Sequence, residues 1–225
     1  MPSKKLTSAT SELVLQMRNE LEALSAFSKE AGYPIRPFDD ADLPHFSLHA
    51  YEQQTQIVKS LREYCNLVRE LKAEGVQLNQ NLNLLWRALA RLGFVPCKDL
   101  FSQLTEEDVV EIYDRSSLQL YRSFSFFGLC SYSLEELYSR PWFELYHREE
   151  KFHEMNLGLL HKFVSGQLMK TEPTGIPMHE VRELKAPKMR SSMIQPHLVS
   201  PLFDNSGQTV AILSAFKVVS VRKPA

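Results

Sequence analysis

The chain has 225 residues, 44% hydrophobic and 24% charged, with a formal net charge of -1. Those proportions describe a globular protein of one or two domains, and the near-neutral balance gives no electrostatic ground for a nucleic-acid or anionic-membrane partner. No apolar run approaches the roughly 20 residues that span a bilayer, the N-terminal segment lacks the apolar core of a secretory signal, and three widely spaced cysteines, Cys65, Cys97 and Cys130, argue against a disulfide framework and for reduced thiols in the cytoplasm.

Residues 11–31 are predicted to form a first helix, with Ser11 as its cap and Gly32 as its stop. Val14, Met17, Leu21 and Leu24 fall at spacings of three and four, which places them on one face. Pro34, Pro37 and Pro44 forbid regular helix in the segment that follows, so it reads as an extended connector laid on the surface.

From about Ala50 a single long helix is expected to run to Leu92. Ile57, Leu61, Tyr64, Val68, Leu71, Leu78, Leu82, Leu85, Leu89 and Leu92 fit one heptad register, interrupted only at Gly75. At about 1.5 Å per residue such a seam runs on the order of 50 Å, too long for a small core to cover. It needs either the first helix folded back on it or a second copy of the chain. The expectation is a homodimer joined through a coiled coil over residues 1–98; an intramolecular bundle is the alternative. Gly75 weakens the seam by about 1 kcal/mol relative to alanine and marks a bend.

Gly93 and Pro96 end the long helix. CKDLFSQLTEED reads as a short helix with Thr105 as a cap. Residues 109–114 and 118–122 read as a hairpin across Arg115-Ser116-Ser117, a turn with neither Gly nor Asn. Helices are expected near 124–130, 134–139 and 153–163, the last closed by Gly166. Two strands, 194–203 and 208–221, flank the turn Asp204-Asn205-Ser206-Gly207.

Taken in order, VVEIYD, SLQLYRS, FFGLCSYSLEELYSRPWFELYHREE, LLHKFVSGQ and VSPLFDNSGQTVAILSAFKVVS resemble the first two strands, the helical region, the end of the crossing helix and the last hairpin of a PAS domain. The resemblance covers residues 105–222. It implies an α+β fold, a PAS-like antiparallel sheet with flanking helices, preceded here by the long helical region. Ser131 stands where a Gly is common, and His147-Arg148-Glu149-Glu150 replaces the family's Pro-Glu-Asp. The middle strand falls somewhere between Met178 and Leu184.

A PAS fold implies sensing or association. In haem-binding members a histidine on the crossing helix ligates iron, which makes His161 the haem candidate, with Leu157, Leu160 and Val164 as wall; the alternative is a surface histidine. Phe127, Trp142, Leu160, Val164 and Ile212 are the expected pocket lining. His153 and His161 are too far apart in sequence to chelate a metal from one helix face. The flavin-reactive cysteine motif is absent, so Cys130 reads as a small buried hydrophobe.

MHEVRELKAP around His179 echoes a histidine-kinase phosphoacceptor box. Glu183 and Leu184 break its pattern, and no nucleotide-binding segment follows. No nucleophile elbow, zinc-protease motif or phosphate-cradling loop occurs. Arg182, Lys185, Lys188 and Arg190 suit either an acidic partner or a strand edge guarded by charge. The expected function is therefore a non-catalytic signalling or regulatory protein, acting through dimerisation and an unknown protein partner. The alternative is a sensor holding haem or a small apolar molecule.

Overall fold

The structure is a computed structural model that describes residues 8–115, 117–185 and 190–222. The first element of the described residues is helix α1 (Ser8–Glu30), so Ser11 lies inside the first turns instead of capping them. Met17, Leu21 and Leu24 are fully buried. The helix stops at Gly32, whose φ of 91° admits a left-handed cap.

The connector is not a surface strap. Leu43 and Phe46 are both fully buried, and the chain forms a short helix, α2 (Pro44–Ser47). Its exposed N-terminal amides are satisfied from a distance: the Glu135 carboxylate accepts from His45 N at 2.8 Å and Phe46 N at 3.0 Å. Arg36 and Pro37 carbonyls accept from Leu134 N and Glu135 N, each at 2.9 Å. A proline-rich segment can run through a core when its carbonyls find such partners.

The expected long helix is two helices, α3 (Tyr51–Ala73) and α4 (Asn81–Leu92). Gly75 takes φ 77°, and the N–H groups of Gly75 and Val76 close onto Lys72 O at 3.0 Å and Leu71 O at 2.9 Å. That pattern caps a helix and turns the chain away. The heptad residues face the chain's own interior. Ile57, Leu61, Tyr64, Val68, Leu71, Leu78, Leu85 and Leu89 are buried, and Leu82 and Leu92 are partly buried. The folded-back α1 covers α3: Glu20 pairs with Arg62 and Arg69 at 3.3 and 3.2 Å. The seam is therefore no reason for a coiled-coil dimer.

After α4 come β1 (Val95–Pro96), a 3-10 turn at Phe101–Gln103, β2 (Val109–Asp114) and β3 (Gln119–Arg122). Thr105 caps nothing; its N–H donates to the Asp108 carboxylate at 2.7 Å. The hairpin turn places Ser117 at φ 64°, while Ser116 lies outside the described residues. Three short helices follow, α5 (Phe124–Phe127), α6 (Leu134–Ser139) and α7 (Trp142–Leu145). In α6, Ser133 and Glu136 form a reciprocal capping box. Then come β4 (Tyr146–His147), α8 (Glu150–Val164), β5 (Glu172–Pro173), β6 (His179–Glu183), β7 (Ser191–Phe203) and β8 (Thr209–Arg222).

The strands form one antiparallel sheet in the order β3-β2-β8-β7-β6-β4. The first hairpin and the last hairpin are neighbours, and the middle strand follows on the far side of β7. β6, β5 and β1 share one edge of β7 at successive positions. The β7–β8 turn is held by Asp204 Oδ1, which accepts from Ser206 N at 2.8 Å and Gln208 N at 2.9 Å, with Gly207 at φ 82°. The topology of the second half is PAS-like: a curled antiparallel sheet with its helices inserted between β3 and β6.

Alternation gives the sheet two faces. Ile112, Tyr121, Ala211, Leu213 and Ala215 are buried within the same apolar cluster as Met17, Leu61 and Leu85, so the expected regions 1–98 and 105–222 share one core. The Tyr64 ring lies 5.2 Å from Tyr121 and 5.8 Å from Phe124, and its hydroxyl donates to Arg122 O at 2.6 Å. Leu85→Asp would put an unpaired carboxylate into this core at a cost of several kcal/mol. The expected result is loss of cooperative thermal unfolding, measured by circular dichroism; a normally melting variant would contradict the placement of α4.

Candidate functional site

The other face of the sheet lines a cavity of ≈ 160 Å³. Register builds its floor. Glu111 on β2 lies opposite Arg122 on β3 and Ser214 on β8, and Tyr113 lies opposite Ile212. Ile212, Ser214, Phe216 and Val218 occupy alternate positions of β8 and share that face. Leu159 and Leu160 of α8 lie over the floor, and Phe126, Trp142 and Tyr146 form the end wall.

Arg122 is only 2% exposed. Its Nη2 reaches Glu111 Oε1 at 2.6 Å and Tyr113 Oη at 2.7 Å, and its guanidinium carbon sits 3.9 Å above the Phe126 ring. Burial is the largest influence and works against its charge, but the Glu111 carboxylate together with the Tyr113, Tyr146 and Tyr138 phenols more than offsets it and holds the guanidinium above its usual pKa. Burial also pushes the Tyr113 phenol up, so it stays protonated at neutral pH.

Arg148 is the counterpart without an ion-pair partner among the described residues. Its guanidinium lies 4.7 Å over the Trp142 ring. Burial lowers its pKa. The buried Nε and Nη1 of both arginines, and the Tyr146 hydroxyl, have no hydrogen-bond partner.

A second cavity of ≈ 570 Å³ adjoins the first. Tyr113, Ser117, Arg122 and Trp142 line both. Its far side is α3, through Gln53, Gln56 and Ile57. Arg122 thus lines both the smaller cavity and the larger one that reaches α3.

Of the expected lining, Trp142, Leu160 and Ile212 come together at the cavity. Phe127 does not. It is buried in the core, with ring centroids 6.0 Å from Phe124 and 6.5 Å from Phe126. Val164 is 45% exposed and His161 is exposed on α8. An iron ligand must point into a pocket, and His161 lines neither cavity, so the structure gives the haem candidate no pocket to serve. Cys130 lines the cavity, and burial pushes its thiol up to about 12.

His179 sits on strand β6, buried, its ring stacked 4.3 Å from Phe152, where burial lowers its pKa. The basic cluster is occupied within the chain. Arg182 pairs with Glu180 at 2.6 Å, Lys185 pairs with Asp39 at 2.8 Å and Glu136 at 2.6 Å, and Arg190 donates to Cys130 O at 2.9 Å. Lys188 lies outside the described residues. Among those residues no group of three or more His, Cys, Asp or Glu could hold a metal, and no helix is long and apolar enough to cross a membrane.

Sequence reasoning missed Glu111, Arg122, Tyr146 and Arg148. Two signals were present: an arginine closing the apolar run of β3, and an arginine where the family carries its Pro-Glu-Asp turn.

No family model and no curated protein matches the chain. Among solved structures it is similar to a domain of a histidine kinase from Haloarcula marismortui, at 12% identity and a TM-score of 0.34, covering 55% of this chain and 97% of that one. It is also similar to a sensory box sensor histidine kinase from Vibrio cholerae, at 12% identity and a TM-score of 0.29, covering 62% and 98%. At such scores neither likeness bears on function, and the PAS-like character rests on the strand order itself.

Removing Arg122 leaves the Glu111 carboxylate buried and unpaired. Arg122→Met should cost about 3–5 kcal/mol in urea unfolding. Adding Glu111→Leu should return most of that loss, because the pair then leaves together. Two losses that simply add would contradict a coupled pair.

Proposed function

We propose that this chain is a PAS-type regulatory protein without catalytic output, which holds a small molecule over its sheet and transmits occupancy to a protein partner through the helical layer. The observation that supports it is the cavity of ≈ 160 Å³, walled by apolar and aromatic side chains with a few convergent polar groups. A cavity of about 150 Å³ is large enough to hold benzene. The output route is supported by Arg122, whose side chain enters both cavities while its carbonyl is held by Tyr64 of α3.

The variant Trp86→Phe leaves Trp142 as the single indole reporter, since the chain has two tryptophans and Trp86 is the exposed one. Benzyl alcohol, a neutral ligand of the right size, should change Trp142 emission saturably and raise Tm. At 100 times Kd the stabilisation is about 2.7 kcal/mol. Absence of any saturable change and of any shift in Tm, with benzyl alcohol and with charged ligands of the same size, would sink the ligand-holding reading and leave a domain that signals through its surface alone.

A further inference from the structure

The geometry points to a small monocarboxylate as the occupant of this cavity, with an apolar body of about benzene size and its carboxylate held by Arg148, Arg122 and the Tyr146 hydroxyl. The inference rests on the cavity being a ligand site and adds the chemistry of the ligand. Charge counting carries it first. Three guanidiniums line the cavity, Arg122, Arg148 and Arg190, against two carboxylates, Glu111 and Glu183. Glu111 is taken by Arg122 at 2.6 Å. Glu183 accepts from the backbone amides Ser131 N at 2.6 Å and Arg190 N at 3.2 Å, while the Arg190 guanidinium donates to Cys130 O at 2.9 Å. The lining thus carries one positive charge more than it carries negative, and Arg148 is the one of the three arginines with neither an ion pair nor a hydrogen bond among the described residues.

Unsatisfied donors carry it second. Nε and Nη1 of Arg148, Nε and Nη1 of Arg122 and the Tyr146 hydroxyl are buried with no partner. Buried donors in native proteins are nearly always paired, and a buried charge without a counter-ion is costly. Tyr146 and Arg148 are two residues apart and both line the cavity. A planar guanidinium matches a carboxylate in two parallel hydrogen bonds. A monoanion cancels the surplus, whereas a phosphate dianion overshoots it and meets apolar walls. The body of the ligand would lie against Trp142, Leu160 and Ile212.

The test uses the full chain carrying Trp86→Phe with sodium benzoate, against benzamide, benzyl alcohol and inorganic phosphate, read by calorimetry and Trp142 emission. Benzoate should bind saturably, with benzamide weaker by roughly ten-fold or more, as expected when charge-assisted hydrogen bonds are lost. Arg148→Met should weaken benzoate by a similar factor and make the two ligands equivalent. Without ligand this variant should melt at or above the wild-type temperature, because two buried guanidinium nitrogens without partners have gone. Arg148→Lys should fall between the two. Benzoate and benzamide binding equally to the wild type would overturn the carboxylate site while leaving the cavity a ligand site. Phosphate binding as well as benzoate would overturn the monocarboxylate. A lower-melting Arg148→Met with unchanged benzoate affinity would make Arg148 structural and overturn the inference. If benzyl alcohol also fails to bind, the cavity reading falls too.

Discussion

One buried arginine organises the second half of this protein. Arg122 enters the sheet opposite Glu111 by strand register, and their ion pair at 2.6 Å fixes the edge of the first hairpin. A guanidinium at 2% exposure cannot be left alone. It is met by a carboxylate, a phenol and the face of Phe126. Those partners keep the sheet face polar and open where it would otherwise be filled with methyl groups. The backbone of the same residue is anchored from the opposite side by Tyr64. The cavity and the helical layer therefore share a residue, and neither can be repacked without disturbing it.

The helical layer is an integral part of the core. α1 folds back over α3, α4 turns away after the left-handed cap at Gly75, and the connector threads Leu43 and Phe46 beneath α6. Each arrangement resolves a local demand. The heptad residues need cover, the prolines need partners for their carbonyls, and the amides at the start of α2 donate to the Glu135 carboxylate. The apolar cluster that results runs from Met17 to Leu213 without interruption. α3 is tied to the cavity floor through Tyr64, whose ring packs on Tyr121 and Phe124 and whose hydroxyl donates to the carbonyl of the cavity-lining Arg122, and packed cores move between discrete states.

Much of this was legible in the amino-acid order. Alternation located β2, β3, β7 and β8, and the turn at Asp204 to Gly207 formed where its chemistry required. Trp142, Leu160 and Ile212 were legible as lining because aromatic and aliphatic residues cluster there. Heptad spacing misled, because a repeat of 3.5 says which residues are buried but not by what. Gly75 carried the correction, since a glycine in a left-handed conformation ends a helix as readily as it weakens one. His161 misled through position alone, as only packing decides which face of α8 turns inward. Arg122 and Arg148 escaped notice because a lone arginine in a sequence reads as solvated surface; the burial of Arg122 emerges only when strand register places Glu111 across from it.

Amide hydrogen exchange of the full chain, with and without saturating benzoate, tests most directly whether the cavity speaks to the helices. Binding at the cavity with slowed exchange in both β3 and the Tyr64–Ala73 part of α3 is the expected result, because Arg122 belongs to one and is held by the other. Protection confined to the sheet and α8, with α3 unchanged at full occupancy, would contradict the account.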